Sequence, residues 1–242
     1  FFQDQDRFRD LYETAERNTR IRKKKVKAIE LFSAFMQERK DTGRIYLQNV
    51  DHANTHSPFD ESKWPVRQSN LCAEIDLPTV PLKDLNDPDG RIALCTLSAI
   101  NWGNVKNPAD FEKPCTLAIR GLDALLSYQN YPVKAAYEST QDFRPLGVGI
   151  INFAYFLAKN DVSYSDPNAL ALVDEYAEAW SYYLLKASAD LALEQGRCRL
   201  SDDTKLSKGV VPCVDGRHGG RARLQSEGPQ CHYSMDMESF KP

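Results

Sequence analysis

The stretch RQSNLCAEIDLPT, residues 67–79, sets an amide, a thiol and a carboxylate at alternate positions: Asn70, Cys72 and Glu74. In an extended chain alternate side chains share a face. Leu71, Ala73, Ile75 and Leu77 would then form a buried apolar row, with Asn70, Cys72, Glu74 and Asp76 opposite. The alternation alone fits a structural strand with one wet face equally well. The identities say more. A thiolate nucleophile wants a histidine or cation beside it, whereas a flanking glutamate raises a thiol pKa. Cys72 is therefore better suited to stay protonated and act as a hydrogen-atom donor or sulfur radical.

Outward from this stretch, the chain alternates helical and strand-like patterns. Phe8, Leu11, Tyr12 and Ala15 form one helical stripe over 6–17, and Val26, Ile29, Phe32 and Met36 repeat it over 22–39. DTGR (41–44) breaks the pattern, and RIYLQNV (44–50) predicts a strand. DHANTHSPFDESKWP (51–65) and TVPLKDLNDPDG (79–90) read as loops. RIALCTLSAIN (91–101) is strand-like. Helices are expected at 109–128, where Cys115, Ile119, Leu122 and Leu126 share a face, at 146–159, and at 168–195. The last has Asp166 as a cap, Pro167 in its first turn and Gly196 as its stop. The class is α/β.

Composition narrows the function. The 242 residues carry a net charge of −3, which gives no global basic field for nucleic acid. The one basic run, RIRKKKVK (20–27), reads as a solvated helix face. No apolar stretch is long enough to span a bilayer and no signal peptide opens the chain, so the expectation is a cytoplasmic protein with no membrane or nucleic-acid partner. Six cysteines without a C-x-x-C pair argue against a disulfide scaffold or a structural zinc site. From 213 on, apolar periodicity disappears. Cys213, His218, Cys231 and His232 fit no zinc spacing, and residues 213–242 are expected to be a disordered, non-homologous tail.

Four segments carry a resemblance: GRIYLQNVDHANTHSPFD, PVRQSNLCAEIDLPT, IALCTLSAIN and LGVGIINFAYFLAKN. Together they resemble the large (alpha) subunit of class I ribonucleotide reductase over residues 1–212. Asn-x-Cys-x-Glu is short by itself. Embedded in RQSNLCAEI-LPT, with Cys95 following 23 positions on, it is highly specific.

The resemblance implies a fragment of a ten-stranded α/β barrel, with the catalytic loop as a finger at its centre. It implies that Cys72 becomes a thiyl radical and abstracts the 3′-hydrogen of the substrate ribose. Glu74 would take the 3′-hydroxyl proton, Asn70 would orient the sugar through its hydroxyls, and Cys95 would be one of two thiols that reduce the intermediate. Asn70 and Glu74 are thus also the expected substrate-binding residues. Without the resemblance, Cys95 in ALCTL would read as a small buried hydrophobe. Cys115 and Cys198 keep that reading. His52 and His56 are expected to serve loop hydrogen bonding, and Arg67 and Gln68 to support the loop.

No cofactor or metal is expected in this chain. The resemblance implies a radical supplied by a metal-containing small (beta) subunit, a ribonucleotide substrate expected to be a diphosphate, and reducing equivalents from thioredoxin or glutaredoxin. The second reducing cysteine, the nucleotide-binding elements, the phosphate loop, the tyrosine pair and the dithiol tail are not found in the sequence. The expectation is an internal piece of the subunit, inactive until the missing segments of the large subunit are supplied. The alternative is an inactive remnant or helical interaction module.

Overall fold

The computed structural model describes residues 4–208. Its organising unit is a parallel pair of strands, β1 (Thr96–Asn101) and β2 (Leu146–Ile151), in register from Thr96↔Leu146 to Asn101↔Ile151. Parallel neighbours need a crossover. Here it contains α4 (Glu112–Tyr128) and α5 (Lys134–Phe143). The stripe expected on α4 is its buried face: Cys115, Ile119, Leu122 and Leu126 all lie inside. α4 packs on both strands and on α7 (Pro167–Gln195), the longest helix.

The ends of α7 follow from its sequence. Asp166 caps it by accepting the Asn168 N–H at 2.8 Å, Pro167 stands in the first turn where no partner for an N–H is needed, and Gly196 (φ 90°) ends it. The core between α7 and the sheet centres on Trp102, fully buried just after β1. Its ring lies 5.3 Å from Phe111, 5.3 Å from Phe156 and 6.1 Å from Trp180. Such aromatic pairs each add roughly 0.5–1.5 kcal/mol beyond burial.

The run 146–159 corrects a single-helix expectation. Its first six residues are β2, Asn152 turns the chain at φ 61°, and only Phe153–Lys159 is helical (α6). A β-branched run interrupted by glycines gains more by pairing with β1 than by coiling. α5 has no counterpart in the expected elements. It ends at Arg144, whose guanidinium donates to Asp123 Oδ1 (2.6 Å), Asp123 O (2.7 Å) and Ser127 Oγ (2.9 Å), tying the entry to β2 onto α4.

The N-terminal third is different. α1 (Gln5–Arg17) matches the first expected helix, and α2 (Ala28–Thr42) starts later than expected. Neither helix buries a residue, so Leu11, Tyr12, Ile29 and Phe32 stand exposed on their apolar stripes. Residues 20–27 form no helix face. Lys23 folds back and donates to the carbonyls of Ala15, Glu16 and Asn18, neutralising the C-terminal end of α1.

Two further expectations fail here. Residues 44–49 pair with no strand, and α3 (Val50–Thr55) occupies the start of the expected loop at 51–65. Among the described residues no helix is long and apolar enough to cross a membrane. The expected boundary at 212/213 and the residues Cys213, His218, Cys231 and His232 lie outside the described residues.

Candidate functional site

Residues 67–79 are not a strand. The chain makes a tight turn: the Ala73 N–H donates to Asn70 O at 3.0 Å, and Ala73 itself sits at φ 61°. A left-handed residue reverses the chain, so alternation of faces cannot run through it. The expected buried row fails accordingly, with Leu71 86% exposed and Ala73 also exposed.

What shapes the turn is Asn70. Its Oδ1 accepts the N–H groups of Glu74 (3.1 Å) and Ile75 (3.0 Å), while its Nδ2 donates to Glu74 Oε1 at 2.6 Å. Asparagine suits this position because one side chain supplies both acceptor and donor. The amide and carboxylate therefore meet through turn closure, not through a shared strand face.

Below the turn, three cross-links hold its limbs. Ser69 Oγ donates to Ile75 O at 3.0 Å and Arg67 donates to Thr79 O at 2.9 Å. Gln48 Nε2 donates to Asp76 Oδ1 at 2.7 Å, bringing in the segment before α3. Deeper still, the buried Asn54 of α3 pairs with the main chain of Val66. The next loop is braced by Asp87, which accepts the Lys83 and Asp89 N–H groups at 2.9 Å each; those bonds hold its carboxyl below the usual range. The Val80–Arg91 bridge then leads the chain towards β1.

Cys95 lies immediately before β1 and is half-buried. Its thiol pKa is pushed up first by burial and then by the negative charge of Glu74. The carboxylate thus acts electrostatically on Cys95, which lies 21 positions further along the chain. Burial, with the like charge adding to it, favours the S–H form of this thiol.

Of the four residues singled out, the structure joins Asn70 to Glu74 directly and sets Glu74 in electrostatic range of Cys95. Cys72 stands exposed in the turn between Asn70 and Glu74, and among the described residues no hydrogen bond ties its Sγ to the other three. Cys115 is fully buried, its thiol pushed up to about 12 by burial, and Cys198 is raised chiefly by burial as well. His52 and His56 belong to α3 and its C-cap, with rings 6.4 Å apart. No group of three or more histidine, cysteine or acidic side chains among the described residues is placed to hold a metal.

Gln48 and Asn54 escaped the sequence reading. Both lie in segments whose secondary structure was misassigned, and a polar residue in an apparent strand or loop carries no sign of a long-range partner. Gly147, which lies against the Cys95 sulfur, was missed for the same reason.

Comparison with known proteins points to one family. The model of the ribonucleotide reductase barrel domain covers residues 2–228. The chain is 58% identical over 212 residues to the ribonucleoside-diphosphate reductase subunit alpha of Haemophilus influenzae, covering 88% of this chain and 28% of that protein. It is 57% identical, with the same coverage, to ribonucleoside-diphosphate reductase 1 subunit alpha of Escherichia coli. The subunit alpha of enterobacteria phage T4 is 47% identical over 243 residues, covering 100% of this chain and 31% of its own. The barrel-domain match and the phage alignment both extend past residue 212, the expected end of the resemblance. Among solved structures, the Actinobacillus ureae class Id ribonucleotide reductase alpha subunit superposes with a TM-score of 0.64 at 24% identity, covering 73% of this chain and 34% of that one. The chain spans under a third of the length of these curated relatives. The fold is part of an α/β barrel, and the chain belongs to the ribonucleotide reductase barrel-domain family.

Proposed function

We propose that this chain supplies the catalytic turn and one reducing thiol of a ribonucleotide reductase large subunit, acting on ribonucleoside diphosphates to make DNA precursors. The carrying observation is the placement of Glu74, 2.6 Å from the Asn70 amide and close enough to Cys95 to raise its pKa. In this reading Cys72 is the radical site: it takes the 3′-hydrogen of the ribose and returns it at the end of the cycle, which restores the radical. Glu74 accepts the 3′-hydroxyl proton, which requires hydrogen-bond reach, and Asn70 orients the sugar. The 2′-hydroxyl leaves as water. Cys95 and a second thiol, outside this chain, give up two electrons and two protons and end as a disulfide. An S–H held protonated until that step suits a thiol that delivers hydrogen rather than attacks as thiolate.

The partners follow the same reading. The small subunit, with its metal centre, supplies the radical, and thioredoxin or glutaredoxin resets the disulfide by exchange. Cys72 is exposed here, and a radical needs a site closed to water. The remaining two thirds of a large subunit is the cover this reading calls for.

The test is a chimera in which residues 1–212 replace the matching segment of the Haemophilus influenzae relative, assayed with its small subunit. Deoxynucleotide formation is expected, and Cys72→Ser should abolish it because an O–H bond is too strong to form the radical. Cys95→Ser should still consume substrate but yield no normal product. The isolated 242-residue chain should form none. An inactive but folded chimera, or normal product from both variants, would overturn the proposal and leave the chain as a non-catalytic relative.

A further inference from the structure

We propose that Gly147 is a positioning residue for the Cys95 thiol: the missing side chain at 147 is the seat in which the sulfur rests. The strand register places Gly147 opposite Leu97. Cys95, two residues earlier, shares a face with Leu97 in extended chain. A Cβ built on Gly147 would come within 2.9 Å of Cys95 Sγ, against about 3.5–4.0 Å for an ordinary nonbonded contact. It would also overlap Leu97 Cδ2.

The glycine is not there for its backbone. Gly147 adopts ordinary strand dihedrals that any residue can take, unlike Gly43 and Gly196 with their positive φ. Its neighbour on the same strand makes the contrast: a Cβ at Gly149 meets nothing closer than Ser98 O at 3.7 Å, an ordinary contact. On β2, glycine provides space at 147 and not at 149. The Cys95 sulfur thus rests against the β2 backbone at Gly147. With one rotatable bond, a cysteine has little means of absorbing a methyl group without moving its sulfur.

The importance of the seat rests on Cys95 being a reducing thiol, but the seat can be tested without turnover. The full 242-residue chain is pulsed with iodoacetamide at a fixed pH, and modification is read site by site by mass spectrometry. In Gly147→Ala the sulfur is displaced from its half-buried position, so Cys95 should react several-fold faster than in the parent. The exposed Cys72 should keep its rate, and the buried Cys115 should stay unmodified. Gly149→Ala should leave all three unchanged. The double variant Gly147→Ala/Leu97→Ala removes the second overlap and should retain the Cys95 effect. An unchanged Cys95 rate in Gly147→Ala overturns the proposal. So does a rise shared with Cys115 that persists in the double variant, since that reports general loosening. Failure of the reductase reading would leave these rates as they are, so the two claims stand or fall separately.

Discussion

Asn54 and Val66 pair side-chain amide to peptide, Asn54 Nδ2 donating to Val66 O at 2.8 Å and Asn54 Oδ1 accepting the Val66 N–H at 2.8 Å. Both residues are buried, so water cannot replace either bond. Asn54→Ala orphans two main-chain groups at about 1–3 kcal/mol each. The expected loss is about 2–6 kcal/mol in urea unfolding, with Asn54→Asp, which keeps one bond, falling between. A loss under about 0.5 kcal/mol would mean the site loop is anchored elsewhere.

Asn70→Asp keeps the acceptor that closes the turn but turns a donor towards Glu74 into a second negative charge. The like charge raises the carboxyl pKa of the pair in the closed turn. The sign follows: the closed turn holds a proton more tightly than the open one. Closure should therefore survive near pH 4 and weaken as pH rises to 7. Protection of the Glu74 and Ile75 amides should match the parent in acid and fall below it at neutral pH. Equal protection at both pH values would count against the Asn70 clamp.

Cys115 should set an alkaline limb of stability. Its thiol ionises at about 12 when folded and near 9.0 when free. Above pH 9 the unfolded chain loses the proton first and is favoured. Stability should fall by about 1.4 kcal/mol by pH 10 from this group alone. Cys115→Ala should flatten that limb between pH 9 and 11 in denaturant titrations, while lowering stability modestly at pH 7. An unchanged slope would place the limb on other groups.

Asp142 is buried at the end of α5. Its Oδ2 accepts from Arg91 Nε at 2.7 Å, its Oδ1 lies 3.9 Å from Arg199, and its carbonyl receives the Leu200 N–H at 2.9 Å. Removing one partner of a buried pair costs about 3–5 kcal/mol because the other charge is left uncompensated. Asp142→Asn should cost something near the lower end of that range, since the amide still accepts from Arg91. Thermal unfolding of this variant beside Asp190→Asn, whose half-exposed partner Lys186 also has Glu112 within 4.0 Å, should show a large and a small shift. Similar shifts would refute the buried-pair account.

The sequence disclosed what local physics controls. The α4 stripe and the Asp166, Pro167 and Gly196 signals of α7 depend on residues within a few positions of each other, and both helices form where expected. The failures share one cause. RIYLQNV has strand composition but finds no partner strand among the described residues, whereas LGVGII does find one, fifty positions upstream. The turn at Ala73 was hidden because Asn70 overrides a pattern of alternating hydrophobicity with three hydrogen bonds. Asn70, Cys72, Glu74 and Cys95 were legible by type and motif; their arrangement was not, because it depends on a turn and on β1–β2 pairing.

That pairing has a kinetic consequence. Thr96 meets Leu146 only after the intervening chain has closed on itself, and closure of long loops is slow to nucleate and pays its entropy before any contact rewards it. The helices α4 and α7 can form from neighbouring residues well before then. Until the strands zip, Cys95 has no glycine floor beneath it and reacts as a free thiol would. Pulsed alkylation during refolding should therefore see Cys95 become protected late, together with the β1 amides, which makes this sulfur a clock for the slowest long-range step.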